Sequence, residues 1–146
     1  MRPSISCIGA LVILIAGPLS SAYANDKDVV DYREHVMNTL NEQSEALGQI
    51  LSTTVPDDNA IAHLEVLALA ASMALKAFEP KVPGGEAKPE VWSNWADFAK
   101  RMNEFAQNTA AAAKTAHVQG KQAALDNILN ALTCKSCHDV YRKEKK

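Results

Sequence analysis

The sequence predicts an all-α fold, an antiparallel up-down-up-down bundle of four helices. Strand formers are sparse, with aromatic residues at only 5%, whereas Ala, Leu, Glu, Gln and Lys abound. Apolar residues recur at three- and four-residue steps in four separate segments. Proline and glycine interrupt those segments at short intervals, and helices joined by short loops pack beside neighbours that run the other way.

The first predicted helix runs from about Lys27 to Ser52, with Val29 or Val30, Arg33, Met37, Leu40, Ser44, Leu47 and Leu51 on one stripe. Thr53, Thr54 and Pro56 stop it. The second starts near Asp57 and Asp58, whose carboxylates suit a helix N-terminus. Its seam is Ile61, Leu64, Ala68, Ala71, Leu75 and Phe78, and Pro80 ends it. Pro83, Gly84 and Gly85 mark the stretch 81–88 as a loop. The third helix opens at Pro89, a residue suited to a first helical turn, and carries Trp92, Trp95, Phe98, Met102 and Phe105 before an alanine run to about Ala116. After a break near Gly120, the fourth places Ala124, Ile128, Ala131, Cys134, His138 and Tyr141 on one stripe.

Residues 1–24 read as an export signal, not as part of the fold. Arg2 precedes an apolar run from Ile8 to Ala16, and Ala22-Tyr23-Ala24 supplies an A-x-A cleavage pattern. That run falls short of the roughly 20 residues a bilayer-spanning helix needs. No later stretch is expected to span, so residues 25–146 are read as one soluble domain in the periplasm, without stable membrane insertion. Of the three cysteines, Cys7 leaves with the signal.

Cys134-Lys135-Ser136-Cys137-His138 is the sharp motif, C-x-x-C-H, and it points to covalent haem. Residues three and four apart share a helical face, so Cys134 lies above both Cys137 and His138. Two thiols can then add to the two vinyl groups of one porphyrin, while the adjacent imidazole meets the iron. A zinc site would need a second pair of ligands, and His35, His63 and His117 are scattered singly. A thioredoxin-like C-x-x-C would need a βαβ setting that this sequence lacks. One haem c per chain is expected, attached near the C-terminus, with Cys134 and Cys137 as thioethers and His138 as proximal iron ligand.

The chain resembles the class II cytochromes c, the cytochrome c′ family, itself a standard example of the up-down-up-down bundle. Asp31 to Met37 resembles that family's first-helix haem-contact segment, and Lys88-Pro89-Glu90-Val91-Trp92 resembles the opening of its third helix. His138-Asp139-Val140-Tyr141-Arg142 resembles its ending. The resemblance implies two choices for the iron's sixth position, which falls to Met37. In low-spin members a methionine there ligates iron; in high-spin members the position is empty and the protein binds gases. A methionine-histidine pair raises the reduction potential and suits an electron carrier. Arg33, four residues earlier on the same face, is expected to reach a haem propionate. Met73 and Met102 are rivals to Met37 as ligand, and methionine also serves as plain packing.

The expected function is therefore a single-electron carrier with His138/Met37 iron, serving periplasmic redox partner proteins. The alternative is a five-coordinate protein binding NO or CO. No acid-base or nucleophile constellation suggests an enzyme. A formal net charge of −2 gives no basic footprint for nucleic acid. Homodimer formation stays open.

Overall fold

The structure is a computed structural model that describes residues 25–144. The expected leader, residues 1–24, lies outside them. Helix α1 spans Asp26–Leu51; Asn25 caps it, its side-chain oxygen accepting from the Asp28 backbone N–H at 3.0 Å. Asp26 and Asp28 in the first turn complement the helix dipole. Thr53, held at a positive φ of 58°, turns the chain after α1 where the sequence expected a stop.

Helix α1 divides its apolar surface. Val36, Leu40, Leu47 and Ile50 are buried, while Met37, Ser44 and Leu51 on the expected stripe are only half-buried. The difference has a cause: Met37 and Ser44 face a cavity rather than a neighbouring helix.

Helix α2 spans Ala60–Ala74 and tightens into a 3-10 turn at Leu75–Phe78. It starts later than Asp57 predicted, and the Asp57 carboxylate pairs with Lys121 at 2.7 Å instead of capping it. Its buried face is also rotated from expectation. Leu64, Ala71 and Phe78 are buried as expected, but Leu67, Ala70 and Ala74 join them in place of Ile61, Ala68 and Leu75. α2 is apolar almost all round, so periodicity fixes its inner face poorly. By length and composition Ala60–Phe78 could cross a membrane, contrary to the expectation that no later stretch would. Here it is the central helix, packed on α1, α4 and α5.

The third and fourth predicted helices are each broken in two. One turn, α3 (Glu90–Ser93), is separated by Asn94 from α4 (Trp95–Gln119). Trp92 Nε1 donates to the Phe78 carbonyl at 2.9 Å, which sets the angle of α3. Gly120, at φ 91°, joins α4 to α5 (Lys121–Ala131). Leu132 and Thr133 then interrupt the helix before α6 (Cys134–Tyr141). The break re-aims the motif: the stripe of Ala124, Ile128 and Ala131 stays in the core, while Cys134 opens outward and Tyr141 returns inside. The result is a four-helix bundle of α1, α2, α3–α4 and α5–α6.

Residues 79–89 form a strap that ties α1 to α6. Arg33 of α1 donates from Nη1 to the Val82 carbonyl at 3.2 Å and from Nη2 to the Gly84 carbonyl at 3.1 Å. At its other end Lys88 N donates to the Tyr141 carbonyl at 2.9 Å, and Lys143 N to the Glu86 carbonyl at 2.8 Å. Ala87 and Arg142 face each other in an antiparallel bridge. Gly85, at φ +54°, adopts a left-handed backbone that any side chain would strain.

Candidate functional site

Between α1 on one side and α4 with α6 on the other lies a cavity of about 800 Å³. That is at the upper end of the usual range for a cofactor site, about 300–1,000 Å³. Cys134, Cys137 and His138 line one wall; Arg33, Met37 and Leu40 of α1 line the facing one. Phe98, Met102 and Phe105 of α4 close the space between.

The motif sits on α6 as its spacing required, and both cysteines are free thiols. Cys134 opens to solvent on one side, and Cys137 is half-buried. Partial burial pushes both thiols above their usual range, although Arg101 acts against it at Cys137. Burial, and next the positive charge of Arg142, lower the pKa of His138. This favours the neutral imidazole, the form that binds a metal. Among the described residues no three His, Cys, Asp or Glu side chains gather to hold a bare ion. Two free thiols and an imidazole on one face, opening into a cavity of this size, fit a covalently attached porphyrin.

Behind the motif a polar cluster fixes α6 on α4. Tyr141 is buried; its hydroxyl donates to Asp97 Oδ2 at 2.5 Å and accepts from Asn94 Nδ2 at 3.2 Å. Arg101 Nε donates to the same Asp97 oxygen at 2.6 Å. The Tyr141 bond, then the Arg101 bond, hold the Asp97 carboxyl below its usual pKa. A depressed carboxylate contributes stability that is fully present above its unfolded pKa, about 3.9, and is lost as pH falls through the folded value. The stability gap between wild type and Asp97→Asn should therefore narrow between pH 6 and pH 3. Urea midpoints at the two pH values check this; a constant gap would remove Asp97 from the acid response. Phe98 packs against Tyr141, Phe78 and Trp95 with ring centroids 5.0–5.7 Å apart, so these aromatic residues serve the core.

The structure brings Met37 and Met102 to the cavity and leaves Met73 exposed outside it. Arg33 also lines the wall but is 2% exposed, its guanidinium 5.2 Å from the ring centroids of both Phe78 and Trp92. Its two terminal nitrogens hold the strap, a role the sequence reading did not include. Arg101 and Glu86 were also missed. Glu86 pairs with a residue 56 positions away, which leaves no pattern along the chain, whereas Asp97 and Arg101 stand four residues apart on one helix face, a charge pattern that could have marked Arg101.

A family model for cytochrome c′ matches residues 28–142. Cytochrome c′ of Alcaligenes xylosoxydans xylosoxydans is 31% identical over 128 residues, covering 84% of this chain and 99% of the relative. That of Rhodopseudomonas palustris is 32% identical over 152 residues, with 99% of each covered. Among solved structures, cytochrome c prime from Shewanella frigidimarina superposes with a TM-score of 0.71 at 26% identity, covering 84% of this chain and 99% of that one. A ferrous variant of the Alcaligenes xylosoxidans protein with bound NO gives 0.71 at 29% identity and the same coverage. With the bundle, the cavity and the Cys134–His138 motif, these matches establish that the chain belongs to the cytochrome c′ family and is a c-type cytochrome carrying one covalently bound haem c.

Proposed function

We propose that this cytochrome binds nitric oxide or carbon monoxide at a five-coordinate, high-spin haem. One observation carries the reading: the Alcaligenes xylosoxidans relative, matched across 84% of this chain, is a cytochrome c prime with bound NO. In this reading Cys134 and Cys137 hold the haem and His138 presents its neutral imidazole as the proximal ligand. Met37 packs against the buried core and covers the distal side as an apolar wall without ligating. The guanidinium N–H groups of Arg33 outside its two strap bonds are offered to a haem propionate. The haem, when bound, supplies the iron that takes the gas. The protein is a binder rather than an enzyme, exported to the periplasm after removal of residues 1–24.

A second reading has an observation of its own. Met37 and Met102 line the same cavity as His138, which favours a single-electron carrier with methionine-histidine iron and a redox protein as partner. Visible spectra of oxidised and reduced protein separate the two, with Met37→Leu as the control. The leucine conserves volume, so the packing loss should stay below about 1.5 kcal/mol. Gas binding predicts high-spin spectra for wild type and variant alike, with a new band when CO meets the reduced protein. A low-spin wild type that turns high-spin in Met37→Leu would install the electron carrier instead.

A further inference from the structure

Arg142 stands one helical turn beyond His138, and its backbone N–H donates to the His138 carbonyl at 3.0 Å. Its side chain therefore shares the face of the helix from which the imidazole projects. Both Arg142 and His138 line the cavity. A guanidinium free to rotate there would set a full positive charge beside the proximal imidazole. It is not free: Arg142 Nε donates to Glu86 Oε2 at 2.6 Å, and Glu86 belongs to the strap.

The pairing is over-determined by the backbone. Lys143 N donates to the Glu86 carbonyl, and the Ala87–Arg142 bridge fixes the two segments in register. Lys143 Nζ adds a bond to the Gly85 carbonyl at 2.9 Å. Glu86 is thus brought to Arg142 by main-chain bonds and does not depend on the ion pair for its place. An ordinary exposed pair contributes little to stability, because solvent screens it and two long side chains must be ordered. Both partners here are partly exposed, at 32% and 49%. What the pair does fix is the place of the Arg142 charge, against the strap.

We propose that Glu86 is a positioning residue for the proximal side of the haem: it holds the Arg142 guanidinium against the strap, keeping that cation and its counter-charge together beside His138. The proposal rests on His138 being the proximal ligand. It acts on the reduction potential, since a positive charge moved towards the imidazole favours the reduced, less positive iron.

A double-mutant cycle on the holoprotein tests it. Glu86→Gln should raise the midpoint potential in the wild-type background, more so at low salt, because it frees Arg142. In an Arg142→Gln background the same substitution should shift the midpoint far less. Equal shifts in both backgrounds would mean that Glu86 acts only through its own charge, and would overturn the proposal. So would no shift in either. Arg142→Met serves as a second background should Arg142→Gln lose its haem: the thioether side chain is of similar length but carries no charge, so the Glu86→Gln shift should again shrink. The reduced wild type should also show an iron–histidine stretching band. Its absence would count against five-coordinate His138 ligation, while the potential cycle would still decide the role of Glu86.

Discussion

Replacing Arg33 with alanine is expected to lower the stability of the bundle by about 3–4 kcal/mol, a large share of a domain's usual 5–15 kcal/mol. Two charge-assisted bonds, to the Val82 and Gly84 carbonyls, disappear together. Hydrogen bonds to charged groups contribute about 1.5–3 kcal/mol each. The guanidinium also leaves its place between the Phe78 and Trp92 rings, opening a void in a site that is 2% exposed. Recovered desolvation energy offsets part of these losses, since burial disfavours the charged form of Arg33. The melting temperature, followed by far-ultraviolet circular dichroism, should fall by about 10–15 °C. Arg33→Lys should restore little of it, because an ammonium cannot present a planar fork to two carbonyls. Limited proteolysis should cut both variants within residues 79–89 sooner than wild type. A variant melting within 3 °C of wild type, by this same measure, would mean that the strap is held by its α6 end alone.

The second large effect is all-or-none. Cys134→Ala with Cys137→Ala should abolish covalent haem, because no other cysteine remains among residues 25–146. The two thiols occupy one face of α6 and open on the same cavity, so each can meet one vinyl group of a single porphyrin. The single variants should keep one thioether each and hold haem through extraction by acidified organic solvent, whereas the double variant should release all of it. Intact mass reads the same chemistry in wild type: a chain beginning at Asn25 plus one haem. Haem retained by the double variant would show attachment elsewhere, and a mass that includes residues 1–24 would contradict export with cleavage after Ala24.

Much of this architecture was legible because it depends on local signals. Pro56, Pro80, the Gly84–Gly85 pair and Gly120 punctuate the chain where helices end, and C-x-x-C-H carries its chemistry in its spacing. The breaks at Asn94 and at Leu132–Thr133 were not legible, because apolar periodicity runs straight across both. The segments beside them are instead held by tertiary bonds, Trp92 to Phe78 and Tyr141 to Asp97, whose partners lie 14 and 44 positions away. Likewise, the hold of Arg33 on the strap left no sign in the sequence, because its carbonyl partners lie 49 and 51 residues on. A carbonyl acceptor is offered by every residue, so nothing in the sequence singles out Val82 or Gly84. Helix α2 defeated its phase assignment for the opposite reason, having too many apolar residues rather than too few.

The uneven filling of the bundle bears on the order in which it assembles. At the end remote from the motif, Leu47, Leu64, Leu67, Ala124 and Ile128 are fully buried, and that half has an interior made of its own side chains. The motif end encloses about 800 Å³ instead. A chain without cofactor gains too little burial there to offset the entropy of ordering α6 and the strap. Local opening is therefore least costly around the two thiols, and the porphyrin acts as the last piece of hydrophobic interior to arrive. The remote half can form first and hold the helices in register, while Cys134 and Cys137 stay within reach until the haem is joined to them.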